Sequence, residues 1–361
     1  MSPMIAGTCR QLGGGWGSWS GRTLARYGAR VSEAPRVTVL GSLNMDISVT
    51  VPRLPAPGAT VLGDAARFTP GGKGANQAVA VARLGGRVRL IGAVGDDDFG
   101  RRLTDALRAE GIDLGQLNVT RAAPTGLAMI TVDAAGENTI AVAPGANHHV
   151  AESDVDGIGD TPYDALVISA EVPVPVVRAA LKQARHDAPC ILNLAPAPPE
   201  AAGIVAAGID WLVVNEAEAA AVLGRPVHGL AEAAEAAVAL TTAGARNAVV
   251  TAGPHGAAVT GAGIAPGPVT VPGFSVTAVD SVGAGDTFVG ALAVALAAGV
   301  PVLDAVRAAV AAGATAVTKP GAQAAMPRPA DIEAATGHRW PAPATVGQPT
   351  QNPIPPKIAA W

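Results

Sequence analysis

The sequence predicts an α/β fold with a mainly parallel central sheet, and three observations support this prediction. Short β-branched runs alternate with helical segments, which is the pattern of a parallel sheet with helices on both faces. Apolar residues make up 49% of the chain, so a large core is available. Polar residues follow several of the runs, at the edge where open α/β sheets bind ligands. The predicted strands cover residues 37–40, 88–94, 165–169, 191–194, 211–214 and 248–251.

Two stretches depart from this alternation and predict a small β-sheet lid over the site. Residues 47–68 contain short strands interrupted by prolines and a glycine, without a helix between them. Residues 126–142 contain a second pair of short strands around a turn. We place the lid strands within about 47–70 and 124–147.

A single folded domain is predicted over residues 36–337. Residues 1–35 are rich in Arg, Gly and Ser and lack the apolar segment of a secretory signal, so we expect a disordered N-terminal extension. Residues 338–361 are rich in Pro and have no periodicity, so we expect a disordered tail.

Charge and cysteine content argue against several classes of function. The net charge is −4, and Lys occurs only at positions 73, 182, 319 and 357, which argues against a nucleic-acid-binding surface. Cys9 and Cys190 are too few for a disulfide framework and lack a metal-binding spacing, so a reducing cytoplasm is the expected location. No apolar run reaches about 18 residues, so the sequence predicts no membrane span.

The stretch 279–288 combines glycines with an acid and continues into an apolar helical run. A helix that starts near Asp286 would direct the free N–H groups of Gly283, Ala284 and Gly285 at one point, with the positive end of the helix dipole behind them. Such a point holds an anion, and Asp286 at its rim could take a proton from a nucleophile that attacks the anion. The alternative is a Gly-rich turn in which Asp286 only caps the helix, and spacing alone favours neither.

A second glycine-rich stretch precedes a helix predicted over residues 77–84 and reads Gly71-Gly72-Lys73-Gly74-Ala75-Asn76. It is not a Walker A loop, because Lys73 is not followed by Ser or Thr, and it is not GxGxxG. The glycines could let the backbone approach a ligand that Asn76 reaches from the helix start. The alternative is a packed strand-to-helix turn.

Polar residues at predicted strand ends connect these stretches. Asn44 and Asp46 follow the first strand, where they could both bind a polyol or form a polar turn. Glu171, Asn215 and Thr251 lie at the ends of three further strands. Because the carboxyl ends of parallel strands meet at one edge, this shared placement favours the anion-hole interpretation of the first stretch.

In order and spacing, these residues resemble the ribokinase-like (PfkB) family of carbohydrate kinases over residues 37–327. The resemblance implies a three-layer α/β/α, Rossmann-like body with a small β-sheet lid. It also implies transfer of the γ-phosphoryl group of ATP to a primary hydroxyl of a sugar, O5 in ribose. The matching motifs are Gly41-Ser42-Leu43-Asn44-Met45-Asp46, Gly71-Gly72-Lys73-Gly74-Ala75-Asn76-Gln77-Ala78 and Asp280-Ser281-Val282-Gly283-Ala284-Gly285-Asp286-Thr287-Phe288.

The same resemblance implies the role of each site residue. Asp286 is the expected base, and the amides of Gly283, Ala284 and Gly285 are the expected anion hole. The expected sugar contacts are Asn44, Met45, Asp46, Gly72, Lys73, Gly74, Ala75, Asn76, Glu171 and Asp286. The expected nucleotide contacts are Asn215, Glu218, Thr251, Ala252, Gly253, Pro254, His255, Gly256 and Gly285.

Two cations are implied in the same way. Asn215 and Glu218 match an Asn-x-x-Glu motif that helps position Mg²⁺ and the phosphates, largely through water. A monovalent-cation site for K⁺ is implied beside the anion hole. The family usually has Ser at this site where the chain has Ala325. A separate departure is Ala59, where the family usually has Glu, and it concerns the geometry of the lid. The expected K⁺ ligands are Asp280, Ala325 and the carbonyls of Val282, Ala316, Lys319 and Gly321.

The leading hypothesis is a cytoplasmic, ATP-dependent kinase of D-ribose that forms a homodimer through its lid and has no nucleic-acid or membrane partner. A sibling kinase for deoxyribose, a nucleoside or another sugar is the nearest alternative, although Asn44, Asp46, Lys73 and Asn76 favour a small polyol. A catalytically silent sugar- or nucleotide-binding protein is disfavoured by the presence of Asp286. A dinucleotide-dependent oxidoreductase would need GxGxxG after the first strand, where this chain has Gly41-Ser42-Leu43-Asn44 instead.

Overall fold

The computed structural model of this protein describes residues 34–341. Residues 1–33 and 342–361, which hold most of the predicted extension and tail, lie outside the described residues. Within the described part of the predicted tail, Trp340 packs against the core. None of the helices across residues 34–341 has the length and apolarity needed to cross a membrane.

Two β-sheets and nine α-helices make up the described chain. The strands are β1 (Arg36–Leu40), β2 (Asn44–Thr50), β3 (Arg67–Gly71), β4 (Arg87–Gly95), β5 (Asp113–Thr120), β6 (Gly126–Val132), β7 (Asn138–Ala143), β8 (Ala165–Ser169), β9 (Cys190–Asn193), β10 (Ile209–Asn215), β11 (Ala245–Thr251), β12 (Gly256–Gly261) and β13 (Val269–Pro272). The helices are α1 (Lys73–Arg83), α2 (Asp98–Ala109), α3 (Val174–Gln183), α4 (Ala201–Ala206), α5 (Glu216–Leu223), α6 (Gly229–Ala243), α7 (Ala284–Ala297), α8 (Val302–Ala316) and α9 (Pro329–Thr336).

The central sheet has nine strands in the order β13-β12-β11-β10-β9-β8-β1-β4-β5. The strands from β11 to β5 pair in parallel, whereas β12 and β13 add an antiparallel edge. The predicted mainly parallel sheet is therefore confirmed. The antiparallel edge and β5 were not among the predicted strands.

Helices cover both faces of this sheet, because successive residues of each strand point to opposite sides. In β8, Val167 belongs to one core cluster, with residues of α1, α7 and α8. Its neighbours Leu166 and Ile168 belong to a second cluster, with residues of α3, α4 and α6. The predicted three-layer arrangement is confirmed by these two cores, which lie on opposite faces of the sheet.

The lid is a four-stranded sheet in the order β3-β2-β6-β7. It occupies the two predicted stretches, but β2 already begins at Asn44, so Asn44 and Asp46 belong to the lid itself. The central pair, β2 and β6, is parallel, and only the outer pairs are antiparallel. The sequence suggested two antiparallel stretches. The parallel pairing of β2 with β6 joins residues far apart in the chain, so it leaves no local signal in the sequence.

Candidate active site

The site is centred on Asp286, in the first turn of α7. Its side chain is 7% exposed, and each carboxylate oxygen accepts a hydrogen bond from an amide side chain. Asn76 Nδ2 donates to Oδ2 over 2.9 Å, and Gln77 Nε2 donates to Oδ1 over 3.0 Å. These bonds hold the carboxylate in a fixed orientation at the N-terminus of the helix.

Close packing of α1 against α7 brings these three residues together. Small residues lie where the two helices meet: a Cβ added to Gly290 of α7 would be only 2.6 Å from the Cβ of Ala80 in α1. The distance between packed helices depends on the side chains at the contact, so small residues permit a close approach. Both helices therefore present their first turns to the same point.

The N-terminus of α7 has the geometry expected of an anion hole. Gly283 precedes the helix with a φ of +77°, in the left-handed region that favours glycine. The Ala284 amide donates to the Ser281 carbonyl over 3.3 Å. Among residues 34–341, the amides of Gly283 and Gly285 have no hydrogen-bond acceptor. Two of the three predicted donors are thus available, together with the positive end of the helix dipole.

Asn44, the first residue of β2, is oriented by a buried amide that follows the lid. Asn147 Nδ2 donates to Asn44 Oδ1 over 2.8 Å and to the Leu43 carbonyl over 3.0 Å. Asn147 Oδ1 accepts from the Leu43 amide over 2.9 Å. Because Asn44 Oδ1 is already an acceptor here, its NH₂ group is the part that can donate to a ligand.

Asp46 lies on the same face of β2 as Asn44, since the two residues are separated by one position. It is 8% exposed, and its carboxylate accepts no hydrogen bond from the part of the chain that the structure describes. Burial, followed by the charges of Glu171 and Asp286, raises the pKa of Asp46 to about 7, against the opposing effect of Lys73. Asp46 is therefore an acceptor whose ionisation changes near neutral pH.

Lys73 begins α1 and is surrounded by carboxylates. The charge of Asp286 is the largest cause that raises the pKa of Lys73, and it is reinforced by Glu171, Glu218 and Asp46 against the effect of burial. The ammonium group is therefore charged throughout the physiological range. It offsets part of the negative charge at a site that would also hold phosphate.

Glu171 lies two residues beyond β8, at the edge of the sheet that the sequence predicted. Its Oε2 accepts from the Ser42 hydroxyl over 2.5 Å and from the Lys73 amide over 3.4 Å. The carboxylate thereby joins the end of the central sheet to the start of α1.

The glycines at the start of α1 serve chain packing. Gly72 has a φ of +89°, and a Cβ there would lie 2.6 Å from the backbone nitrogen of Asn44. Gly74 packs against residues 41–42 in the same way, and the buried Ala75 donates its amide to the Ser42 carbonyl over 3.0 Å. Of the two interpretations of this stretch, a ligand approach or a packed strand-to-helix turn, the packed turn is enough to explain why these residues are small.

Met45 does not present its side chain to the site. It is fully buried in the core cluster that includes α1 and α7. Alternation along β2 places it on the opposite face from Asn44 and Asp46. A sugar contact at Met45, which the resemblance implied without naming an atom, could therefore come only from its backbone, since the family motif does not distinguish the two faces of the strand.

The predicted nucleotide residues lie further along the same sheet edge. Asn215 and Thr251 are the last residues of β10 and β11 and are paired in parallel register. Beyond Thr251 the buried Ala252 leads into a short 3₁₀ turn, Gly253–His255, before β12 begins. The loop 252–256 therefore extends from the edge of the sheet next to Asn215.

Asn215 and Glu218 form a reciprocal cap at the start of α5. The Asn215 amide donates to Glu218 Oε2 over 2.8 Å, and the Glu218 amide donates to Asn215 Oδ1 over 2.9 Å. Burial raises the pKa of Glu218. Across residues 34–341 there is no group of three or more His, Cys, Asp or Glu that could hold a metal ion. The side-chain oxygens of Asn215 and Glu218 fit an indirect contact with Mg²⁺, which keeps several of its waters.

Asp280 joins the two segments that carry the predicted K⁺ ligands. Its Oδ1 accepts from the Val282 amide over 3.0 Å, and its Oδ2 accepts from the Gly321 amide over 2.8 Å. This brings residues 280–282 against the chain that follows α8. Oxygen ligands suit K⁺ as a hard cation. Ala325 is buried and offers no side-chain oxygen, so the set fits K⁺ with one ligand fewer than the family pattern.

Several residues that support the site were missed in the sequence. Asn193 was assigned only to a strand, Gln77 only to a helix and to the second glycine-rich motif, and Asn147 was given no role. Gln323 Nε2 donates to Asn76 Oδ1 over 3.2 Å, and this link also joins distant parts of the chain. None of these contacts is local, so no spacing rule could have found them.

The fold and the site together are those of a small-molecule kinase with an anion hole at a helix N-terminus. The family described as pfkB family carbohydrate kinase matches residues 34–329, and the chain belongs to this family.

Individual relatives agree with this assignment. The chain is 36% identical over 294 residues to the ribokinase of Haemophilus influenzae, covering 81% of this chain and 95% of that protein. It is 33% identical over 294 residues to the deoxyribokinase of Salmonella typhi, with the same coverage of 81% and 95%. The structure of Arabidopsis thaliana ribokinase complexed with ribose and ATP superposes with a TM-score of 0.71 at 29% identity, covering 83% of this chain and 97% of that one.

Proposed function

We propose that this protein is an ATP-dependent kinase that phosphorylates D-ribose at O5. The observation that carries the proposal is the buried Asp286 carboxylate at the N-terminus of α7, held by two amides beside the Asp46, Lys73 and Glu171 cluster. Similarity to ribokinases over most of the chain supports ribose as the sugar.

The reaction assigns one task to each group. As the sugar O5 forms its bond to the γ-phosphorus, Asp286 accepts the hydroxyl proton, and the bond from that phosphorus to the leaving ADP oxygen breaks. The amides of Gly283 and Gly285 donate to the transferred phosphoryl group. An oxyanion donor of this kind lowers the activation barrier by roughly 3–4 kcal/mol. Asn44, through its NH₂ group, and Asp46, through its carboxylate, bind sugar hydroxyls.

ATP is expected along the edge from Asn215 to the 252–256 loop, with its phosphates toward α7. Asn215 and Glu218 would hold Mg²⁺ through water, and the ion would neutralise phosphate charge. Lys73 contributes a fixed positive charge from the sugar side.

For K⁺ we propose the oxygens around Asp280, namely its carboxylate and the carbonyls of Val282, Ala316, Lys319 and Gly321. A cation there adds positive charge beneath the anion hole. Activity with K⁺, Na⁺ and choline as the counter-cation tests this proposal. Equal rates in all three would contradict it.

Deoxyribose is the second candidate sugar, because a relative named deoxyribokinase is nearly as similar to this chain as the ribokinases are. The two sugars differ only in the 2-hydroxyl group. A site that hydrogen-bonds this hydroxyl discriminates strongly against its absence, since a buried polar group would be left unpaired. The ratio of kcat/KM for the two sugars therefore decides between them.

We also propose a homodimer formed through the lid, in the cytoplasm. The lid exposes large apolar side chains, including Met129 at 50% and Ile140 at 53% exposure. Isolated apolar surface residues are common, but several on one small sheet are typical of an interface. Light scattering on the full chain measures the oligomeric state, and a monomer at micromolar concentration would contradict the proposal.

A panel of sugars in an assay coupled to ADP release tests the function. We expect turnover of D-ribose and at least a 100-fold lower kcat in Asp286→Asn, with binding of ribose and ATP retained. Absence of ribose turnover in the wild type would refute the proposed substrate. Absence of turnover of every sugar would support a silent binding protein, and an active Asn variant would refute the base.

A further inference from the structure

Gln77 makes an unusual set of contacts for a residue in the interior of α1. Its side chain is fully buried, and its Nε2 donates to Asp286 Oδ1 and to Asn193 Oδ1, each over 3.0 Å. Its Oε1 is buried without any hydrogen-bond partner among the described residues. Both N–H groups of the carboxamide are thus used, while its carbonyl is unsatisfied.

A chain of amides determines which way this carboxamide faces. Asn193 Nδ2 donates to the Val213 carbonyl over 3.3 Å, and a backbone carbonyl can only accept. Asn193 must therefore direct its Oδ1 toward Gln77, and Gln77 must donate to it through its NH₂ group. The reverse orientation would place the Gln77 carbonyl against the Asp286 carboxylate.

Among the described residues, the carbonyl makes no hydrogen bond, so the polar contacts of Gln77 come from its NH₂ group alone. A buried acceptor that loses its donor destabilises the folded state. Local departures from good packing chemistry are expected at functional sites. The feature that only the amide supplies is the donor to Asp286.

We infer that Gln77, oriented by Asn193, is a positioning residue that holds the Asp286 carboxylate in the orientation needed to accept the sugar proton. The inference rests on the proposed role of Asp286 as the base. Asn76 holds one carboxylate oxygen, and Gln77 holds the other. With only one oxygen held, the carboxylate rotates about its bond to Cβ, and misplacement of a reacting group by about 1 Å costs up to 100-fold in rate.

Gln77→Met tests this inference, because it keeps the length of the side chain and removes the donor. We expect kcat to fall about 10- to 100-fold, while KM for sugar and ATP stays within about 3-fold. The Tm should also fall, because Met leaves Asp286 Oδ1 and Asn193 Oδ1 without this donor. Gln77→Glu, which places a carboxylate against Asp286, should lower kcat further than Met does.

Gln183→Met is the matched control. This half-buried residue accepts a hydrogen bond from the Gly157 amide over 3.0 Å, on α3 and away from Asp286. We expect it to lower the Tm and leave kcat unchanged, whereas Gln77→Met should lower both.

A double-mutant cycle tests the part played by Asn193. Asn193→Ala should lower kcat in the wild type but cause no further loss in the Gln77→Met background, since it acts through Gln77. If the two substitutions lower kcat additively, Asn193 does not act through Gln77.

The parallel measurements separate this inference from the proposed function. An active wild type, an inactive Asp286→Asn and a Gln77→Met variant with wild-type kcat would overturn the inference alone. A Gln183→Met variant that loses kcat as Gln77→Met does would also overturn it, because the loss of kcat would then follow from lower stability alone. A wild type that phosphorylates no sugar, or an active Asp286→Asn, overturns both.

Discussion

Sugar binding should depend on pH through Asp46. The carboxylate is buried on the lid strand β2 and faces the charges of Glu171 and Asp286, so its pKa is raised to about 7 in the free enzyme. The ionised form accepts charge-assisted hydrogen bonds from sugar hydroxyls, whereas the protonated form loses an acceptor and its charge. The sugar therefore binds mainly to the ionised form.

The magnitude follows from this pKa. With a pKa near 7, about nine-tenths of the carboxylate is ionised at pH 8 and about one-tenth at pH 6, so the Kd for sugar should rise about 10-fold between these values. Isothermal titration of the enzyme with D-ribose, without nucleotide, measures this at pH 6, 7 and 8. Circular dichroism at each pH verifies that the protein is folded.

Asp46→Asn is the control for this measurement. The amide does not titrate, so this variant should bind sugar more weakly and with the same Kd from pH 6 to pH 8. A constant Kd in the wild type over this range would refute the reasoning, and so would the same slope in the Asn variant.

Three further outcomes are expected. Because burial raises the pKa of Asp46 from 3.8 to about 7 in the folded state, the free energy of unfolding of the wild type declines as pH rises through this range. Denaturant unfolding of Asp46→Asn should therefore show a gain of up to about 4 kcal/mol at pH 8 and little gain at pH 4. Gly283→Ala should lose roughly 1–2 kcal/mol because of its φ of +77°, whereas Gly285→Ala, with open space at its Cβ, should not. Asn147→Ala should raise the Kd for sugar by calorimetry while the Kd for ATP stays constant.

The sheet was largely predictable because parallel strands are buried on both faces. Continuous apolar runs such as Ala165–Ser169 carry that signal, and the strand has these bounds in the structure. The edge strands β12 and β13 are rich in Gly, Thr and Pro, so their composition resembles that of turns. Strand β5 contains Asp, Gly and Asn and was hidden in the same way.

The site was predictable only as far as its motifs. The order of the glycines and Asp286 pointed to the anion hole, and strand ends located Glu171 and Asn215. Spacing cannot show that Ala284 shares its amide with Ser281, because this depends on the geometry of one turn. Nor can it show that Gln77 meets Asp286, since the two residues are separated by 209 positions.

The distribution of charge between lid and body gives Lys73 a role beyond contact with the sugar. Asp46 belongs to the lid, whereas Glu171 and Asp286 belong to the body, so repulsion among the three acids acts across the boundary between them. Lys73 lies on the body side and attracts all three. A bound polyol adds hydroxyl donors between the two sides, which favours the ionised form of Asp46 and offsets the repulsion that this ionisation adds. The interaction energy between lid and body therefore depends on whether a sugar is bound. The pKa of Asp46 reports this dependence, because it should fall when the sugar binds.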